Sequence, residues 1–400
     1  MSELLAPRLA SVGTQPATLE ISPTRDLRLD FFRGLSLILI FIDHIPQNIL
    51  GYFTLQSIQF FDAAEIFIFI SGYTAAIVYG RALTLYGPVV ASAQILRRAW
   101  QLYVAHIFLF MIFLAEVSYT VMSFNNPMYN EEMRVGEFLV EPHIAVIKAL
   151  LLQFQPTFLD ILPLYIVLLV AFPLVLTGLR LKPVIVILGS LALYIAVQFT
   201  DLSLPAYPAG REWYFNPLAW QFLFVAGAAL SLHKDRVACR FRRQPWLSPL
   251  AVIIIGAAGS IRLSWTIHGL WDAIPGLLLA DLWPVDKTDL SPIRLIPFFA
   301  AVALVAAWIS PDARGLRSRL AKPLVLCGRH SLEIFCLGIL LSALGHFLLS
   351  EYSIGIIGQL GVNAAGILAM CLTAKVIDWY REMSRMPWPP PTVPPATREG

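Results

Sequence analysis

About 20 consecutive apolar residues are needed to cross a bilayer as a helix, and this chain supplies such runs again and again. Scanning for them gives ten candidates, at about 35–51, 62–80, 98–122, 160–179, 183–199, 217–233, 247–268, 293–310, 323–349 and 356–377. Lysine and arginine test that count, because basic residues are retained on the cytoplasmic side. With the first segment inside, 21 of them fall in inner segments and five in outer ones (Arg134, Lys148, Arg211, Lys287 and Arg294), while Arg262, Arg329 and Lys375 fall within spans. The split alternates at every connection and would be lost if one helix were miscounted. The expected fold is an all-α polytopic membrane protein of about ten transmembrane helices, with the N-terminus and the C-terminus cytoplasmic.

Composition agrees. Of the 400 residues 58% are hydrophobic and only 14% charged, with a mean hydropathy of +0.70, against roughly 25% charged in a soluble domain. The net charge of +3 is too small for a nucleic-acid partner, and no basic run is interleaved with aromatics. The four cysteines, Cys239, Cys327, Cys336 and Cys371, show neither metal-ligand nor redox spacing, so neither a metal nor a disulfide framework is expected. No apolar run precedes Leu35, so the first span is expected to serve as the targeting signal. The tail after Met386 holds six prolines up to Pro395 and reads as extended chain. No internal repeat of the inverted-half kind is found.

Ionisable groups at membrane depth cost about 2.5–3.5 kcal/mol on insertion scales and are turned inward when they occur. The first segment carries Asp43 and His44 side by side, the second opens with Asp62 and Glu65 on one face, and the ninth holds Arg329, His330 and Glu333 at spacings of three and four. His106 lies in the third and Arg262 in the seventh. Each has a plain structural reading. Arg329 with Glu333 fits an i,i+4 pair, His106 fits a core histidine bonded to a backbone carbonyl, and "DHIPQN" contains Pro46 and fits a helix kink. Against that, histidine is the side chain best suited to take and return a proton near neutral pH when a neighbour fixes its tautomer, a role open to Asp43, Glu65 or Glu333. Arg97 and Arg98 sit at the inner mouth of the third segment, where guanidinium groups pair bidentately with phosphate; retention of basic residues inside explains them as well.

Six stretches carry a resemblance: "RDLRLDFFRGLSLILIFIDH", "FDAAEIFIFISGYTAAIVYGRAL", "ILRRAWQLY", "LDILPLYIVLL", "NPLAWQFLFVAG" and "GRHSLEIFCLGILLS". Together they resemble the OpgC family, membrane succinyltransferases of osmoregulated periplasmic glucans and a branch of the acyltransferase type 3 group. The resemblance spans about 25–385 and implies a cytoplasmic segment 1–24, one ten-helix acyltransferase domain at 25–385 and a proline-rich tail at 386–400. It implies transfer of an acyl group, succinyl being the expected one, from cytosolic acyl-CoA to a hydroxyl of a periplasmic glucan, in the bacterial inner membrane. By position, His44 would be the catalytic base. Arg97 and Arg98 would contact the CoA phosphates, with Asp30 and Arg33 shaping the inner entrance. Glu65, Arg329 and Glu333 would line the reaction chamber.

The chemistry of the residues is compatible with that implication: a thioester and a sugar hydroxyl must meet where water is scarce, with His44 removing the hydroxyl proton. A succinyl carboxylate needs a cation, for which Arg262 or Arg329 is the in-membrane candidate, or either serves the oxyanion. Trp213, Tyr214, Trp271 and Trp283 fit sugar stacking and interfacial anchoring equally. Two alternatives remain open at this point: an O-acetyltransferase acting on another envelope glycan, and a proton-coupled transporter or flippase in which Asp43, His44 and Glu65 form a proton relay.

Overall fold

Pro46 decides where the first helix stops. In the computed structural model, which describes residues 26–124, 131–200, 202–233, 244–266, 285–352 and 354–384, helix α1 spans Leu27–Asp43, shifted toward the N-terminus from the expected 35–51. Asp26 caps its start by accepting the Arg28 backbone N–H at 3.1 Å. The residue before a proline is driven out of the α region, and the proline ring cannot follow a helical turn, so the helix ends two residues before Ile45. Arg28, Asp30 and Arg33 therefore belong to the helix itself. His44 sits at its far end, about 25 Å along the axis at 1.5 Å per residue, where a 3-10 turn, Ile49–Phe53, takes over.

The second and third expected segments form one element, α2, Ala63–Phe124, of 62 residues. It breaks at Gly87, whose φ of 81° is open to glycine, just before Pro88, which can donate no backbone bond. The connection expected between those segments is thus helical. Besides short helices at Leu55–Ile58, Gly136–Val140 and Pro142–Leu150, the described residues form α3 (Ile161–Leu181), α4 (Pro183–Phe199), α5 (Pro217–Leu232), α6 (Leu247–Thr266), α7 (Pro292–Trp308), α8 (Ala321–Arg329), α9 (Ser331–Glu351) and α10 (Gly355–Met383). The expected ninth span is divided at His330 into α8 and α9. By length and composition α2, α3, α6, α9 and α10 are able to cross a membrane, and α4, α5 and α7 are apolar but shorter, at 17, 16 and 17 residues. Among the described residues the sole strand-like feature is an isolated bridge between Pro205 and Glu212.

The helices approach closely where side chains are absent. A Cβ on Gly34 of α1 would enter the Leu324 carbonyl of α8, and one on Gly328 of α8 would enter the Asp30 carbonyl of α1, so these two glycines let the helices touch backbone to backbone. α1 is further packed by α2, α9 and the 3-10 turn, which places its polar residues inside the bundle. Phe41, Phe110, Phe113, Phe172 and Trp220 fill the interior. The outside is apolar too: Leu174, Phe199 and Ile357 are 82%, 85% and 87% exposed. A surface of this kind is stable against hydrocarbon and not against water, the signature of an integral membrane protein. Segments 1–24, 234–243 with Cys239, and 386–400, and the residues Trp271 and Trp283, lie outside the described residues.

Candidate active site

The four residues Asp62 to Glu65 open α2 as a capping box. Asp62 accepts the Ala64 N–H at 2.8 Å, and Glu65 Oε2 accepts the Asp62 N–H at 2.9 Å. This satisfies the helix start but leaves two carboxylates in the interior, Glu65 at 0% exposure and Asp62 at 6%. Buried charges require partners, and the start of α7 supplies them. Arg294 donates Nε to Glu65 Oε1 at 2.6 Å and Nη2 to Asp62 Oδ2 at 3.1 Å, and Lys287 Nζ stands 2.7 Å from Asp62 Oδ2. Burial disfavours the Lys287 ammonium, yet the Asp62 carboxylate beside it prevails and holds its pKa above the ordinary lysine range.

His44 is coupled to the same neighbourhood, since the charges of Lys287 and Asp62 act on its ring. Its Nδ1 lies 2.5 Å from the Ile40 carbonyl oxygen. A carbonyl only accepts, so Nδ1 carries the proton, and the neutral ring keeps its lone pair on Nε2. Phe158 packs edge-on against the ring at 4.5 Å between centroids. Asp43 Oδ1 is buried with no hydrogen-bond partner among the described residues. Left-handed backbone is concentrated here, at Gln47 (φ 53°), Phe158 (φ 77°) and Leu290 (φ 54°). Such conformations cost of order 1 kcal/mol or more in non-glycine residues and persist where surrounding structure holds them. That support includes a reciprocal amide pair: Asn48 and Asn363 exchange bonds of 2.9 and 2.8 Å, tying the chain after His44 to α10.

Several expected site residues lie elsewhere. Glu333 was expected in the chamber and as the i,i+4 partner of Arg329, but it pairs at 2.7 Å with Arg381, and both side chains are largely exposed. Arg329 stands instead 3.9 Å from Asp30, at the opposite end of α1 from His44. Glu65, one of the carboxylates considered for His44, is taken by Arg294; the tautomer is fixed by a backbone carbonyl and not by any of the three acids. Arg262 donates Nε to the Gln56 carbonyl at 2.9 Å. Arg33 donates to Thr74 Oγ1 at 2.7 Å, near the N-terminal end of α1. Arg97 is exposed on the second arm of α2, and Arg98 reaches Gln101 at 3.3 Å. Neither ring nitrogen of the buried His106 has a hydrogen-bond partner among the described residues, so the expected carbonyl is missing. His330, at the α8–α9 break, bonds Asp378 at 3.2 Å through Nε2. Among the described residues no group of three or more His, Cys, Asp or Glu is arranged for a metal ion.

Sequence reasoning missed Lys287 and Arg294, which it counted only as outer-loop basics. The available signal was the capping box itself: an apolar helix that opens with two acids obliges the fold to deliver cations to that point.

A family model described as OpgC protein matches residues 25–382. The chain belongs to the OpgC family. Membership implies transferase activity of the glucan succinyltransferase-like, acyl-transferring kind. The match takes in the whole of α1 and α2, the Lys287–Arg294 segment and α8 to α9, so both ends of the OpgC bundle described above are family territory. No curated protein and no solved structure matches the chain.

Proposed function

We propose that this OpgC-family protein is an inner-membrane O-acyltransferase that moves an acyl group, most simply succinyl, from cytosolic acyl-CoA to a hydroxyl of a periplasmic glucan. Ten transmembrane passages with both termini in the cytoplasm go with this reading; the alternation of basic residues supports them. The observation that carries it is the His44 tautomer: Nδ1–H held by the Ile40 carbonyl, lone pair on Nε2. A base in that state is ready to accept the proton of a sugar hydroxyl as its oxygen attacks the thioester carbon. The C–S bond then breaks, and the proton on Nε2 passes to the departing thiolate, so that ester and free thiol leave and His44 is restored. The apolar ring of Phe158 against the imidazole fits the exclusion of water, which would otherwise hydrolyse the donor. Arg33 toward the other end of α1, and the exposed Arg97 and half-buried Arg98 on α2, suit the phosphates of acyl-CoA.

Mass spectrometry of periplasmic glucans tests this, using cells lacking the protein and cells complemented with wild type or His44→Ala at equal membrane abundance. Acylated glucan with wild type and at least about 100-fold less with His44→Ala is expected, the usual scale for losing a general base. The mass increment names the acyl group. Glucans that are identical in all strains would remove the assignment.

A further inference from the structure

Resting on the acyltransferase reading, we propose that Lys287 is the specificity-determining residue of this site. Its ammonium, together with the Tyr214 hydroxyl, holds the free carboxylate of a dicarboxylic acyl group whose thioester end lies at His44. Four cations need comparison. Arg329, at Asp30, is thirteen residues from Asp43 along α1, about 20 Å at 1.5 Å per residue. A four-carbon acyl chain is only about 4–5 Å long at roughly 1.5 Å per bond, so Arg329 cannot reach its far end while the other end meets His44. Arg262 is directed to the Gln56 carbonyl. Arg294 is 7% exposed, with Nε on Glu65 and Nη2 on Asp62.

Lys287 differs from all three. Its side chain is 26% exposed, it has three N–H donors, and its ion pair is with Asp62 at 2.7 Å. Asp62 is also held by Arg294 at 3.1 Å, so Lys287 can turn to an incoming carboxylate without stranding a buried charge. Phe215 lies 5.5 Å from Nζ, presenting its ring face to the cation and an apolar wall to an acyl chain. Lys287 and Tyr214 lie within electrostatic reach of each other, and burial pushes the Tyr214 phenol up, keeping it a hydrogen-bond donor. One ammonium plus one hydroxyl is a donor set for a carboxylate, with no counterpart in an unsubstituted acetyl group.

The test uses full-length protein in lipid nanodiscs, with unmodified glucan from cells lacking the protein as acceptor. kcat/KM is measured for succinyl-CoA and acetyl-CoA with wild type, Lys287→Gln, Lys287→Arg and Tyr214→Phe. Loss of a charged hydrogen bond predicts that Lys287→Gln lowers the succinyl-to-acetyl ratio about 10- to 100-fold, chiefly through the succinyl-CoA KM. Lys287→Arg recovers most of the ratio, and Tyr214→Phe, which removes one oxygen and keeps the ring, lowers it about threefold to tenfold. An unchanged ratio in both Lys287→Gln and Tyr214→Phe overturns the proposal; so does a wild type that does not distinguish the donors. If Lys287→Gln does not fold, the Tyr214→Phe ratio decides alone. Wild type that transfers neither group overturns the acyltransferase reading and this assignment with it.

Discussion

Replacing Arg294 by methionine removes the guanidinium and keeps a long apolar stem. The two carboxylates it serves respond differently. Asp62 retains Lys287 at 2.7 Å, whereas Glu65, fully buried, retains among the described residues only the Asp62 backbone N–H at 2.9 Å. The cost therefore falls on Glu65, and breaking a buried pair from one side costs about 3–5 kcal/mol. At about 2 °C per kcal/mol for a large chain, the melting midpoint of detergent-solubilised protein should drop by about 6–10 °C. The same arithmetic gives a rescue: Glu65→Gln in the Arg294→Met background removes the stranded charge and should recover more than half of the loss. Asp62→Asn in that background should recover nothing, because it strips Lys287 of its partner. The assay is a set of thermal melts for the single and double variants, read as a double-mutant cycle. The reasoning is refuted if Arg294→Met melts within about 1 °C of wild type, or if Glu65→Gln adds to its cost.

Gly328→Ala should be among the most damaging small substitutions in the chain, since its methyl would enter the Asp30 carbonyl of α1. A loss of about 3 kcal/mol, the upper end for overpacking, is expected in the same melts, against under about 1 kcal/mol for Gly361→Ala, where nothing lies within 4 Å. Asn363→Leu should cost about 1–3 kcal/mol by removing both bonds of the reciprocal pair at about 0.5–1.5 kcal/mol each, the Asn48 amide keeping the Ile42 carbonyl and the Leu50 N–H, and Asn363→Gln, with the same groups one methylene farther out, should not restore it. Combined Arg97→Ala and Arg98→Ala should leave the stability within about 0.5 kcal/mol of wild type, as surface changes do, while raising the KM for acyl-CoA about tenfold in steady-state assays. A KM that does not move would remove these arginines from the donor site.

The class of this protein was legible in its sequence because length, apolarity and the side preference of basic residues are local, additive properties that need no knowledge of packing. The family motifs were legible for a similar reason: they lie in contiguous stretches, including the run that contains His44. Helix ends were less so. The Pro46 signal was present and bore on where α1 stops, yet the apolar run alone extended the helix to 51. Partnership was decided by tertiary structure only. Glu65 and Arg294 are 229 positions apart, and Glu333 and Arg381 are 48 apart. Which acid meets which base depends on the rotation of each helix about its axis, and that is fixed by contacts such as Gly34 and Gly328 against opposing backbone. A sequence states that buried charges must be matched; only the packed bundle states which charge does the matching, and here it left His44 to a backbone carbonyl and brought Lys287 to Asp62.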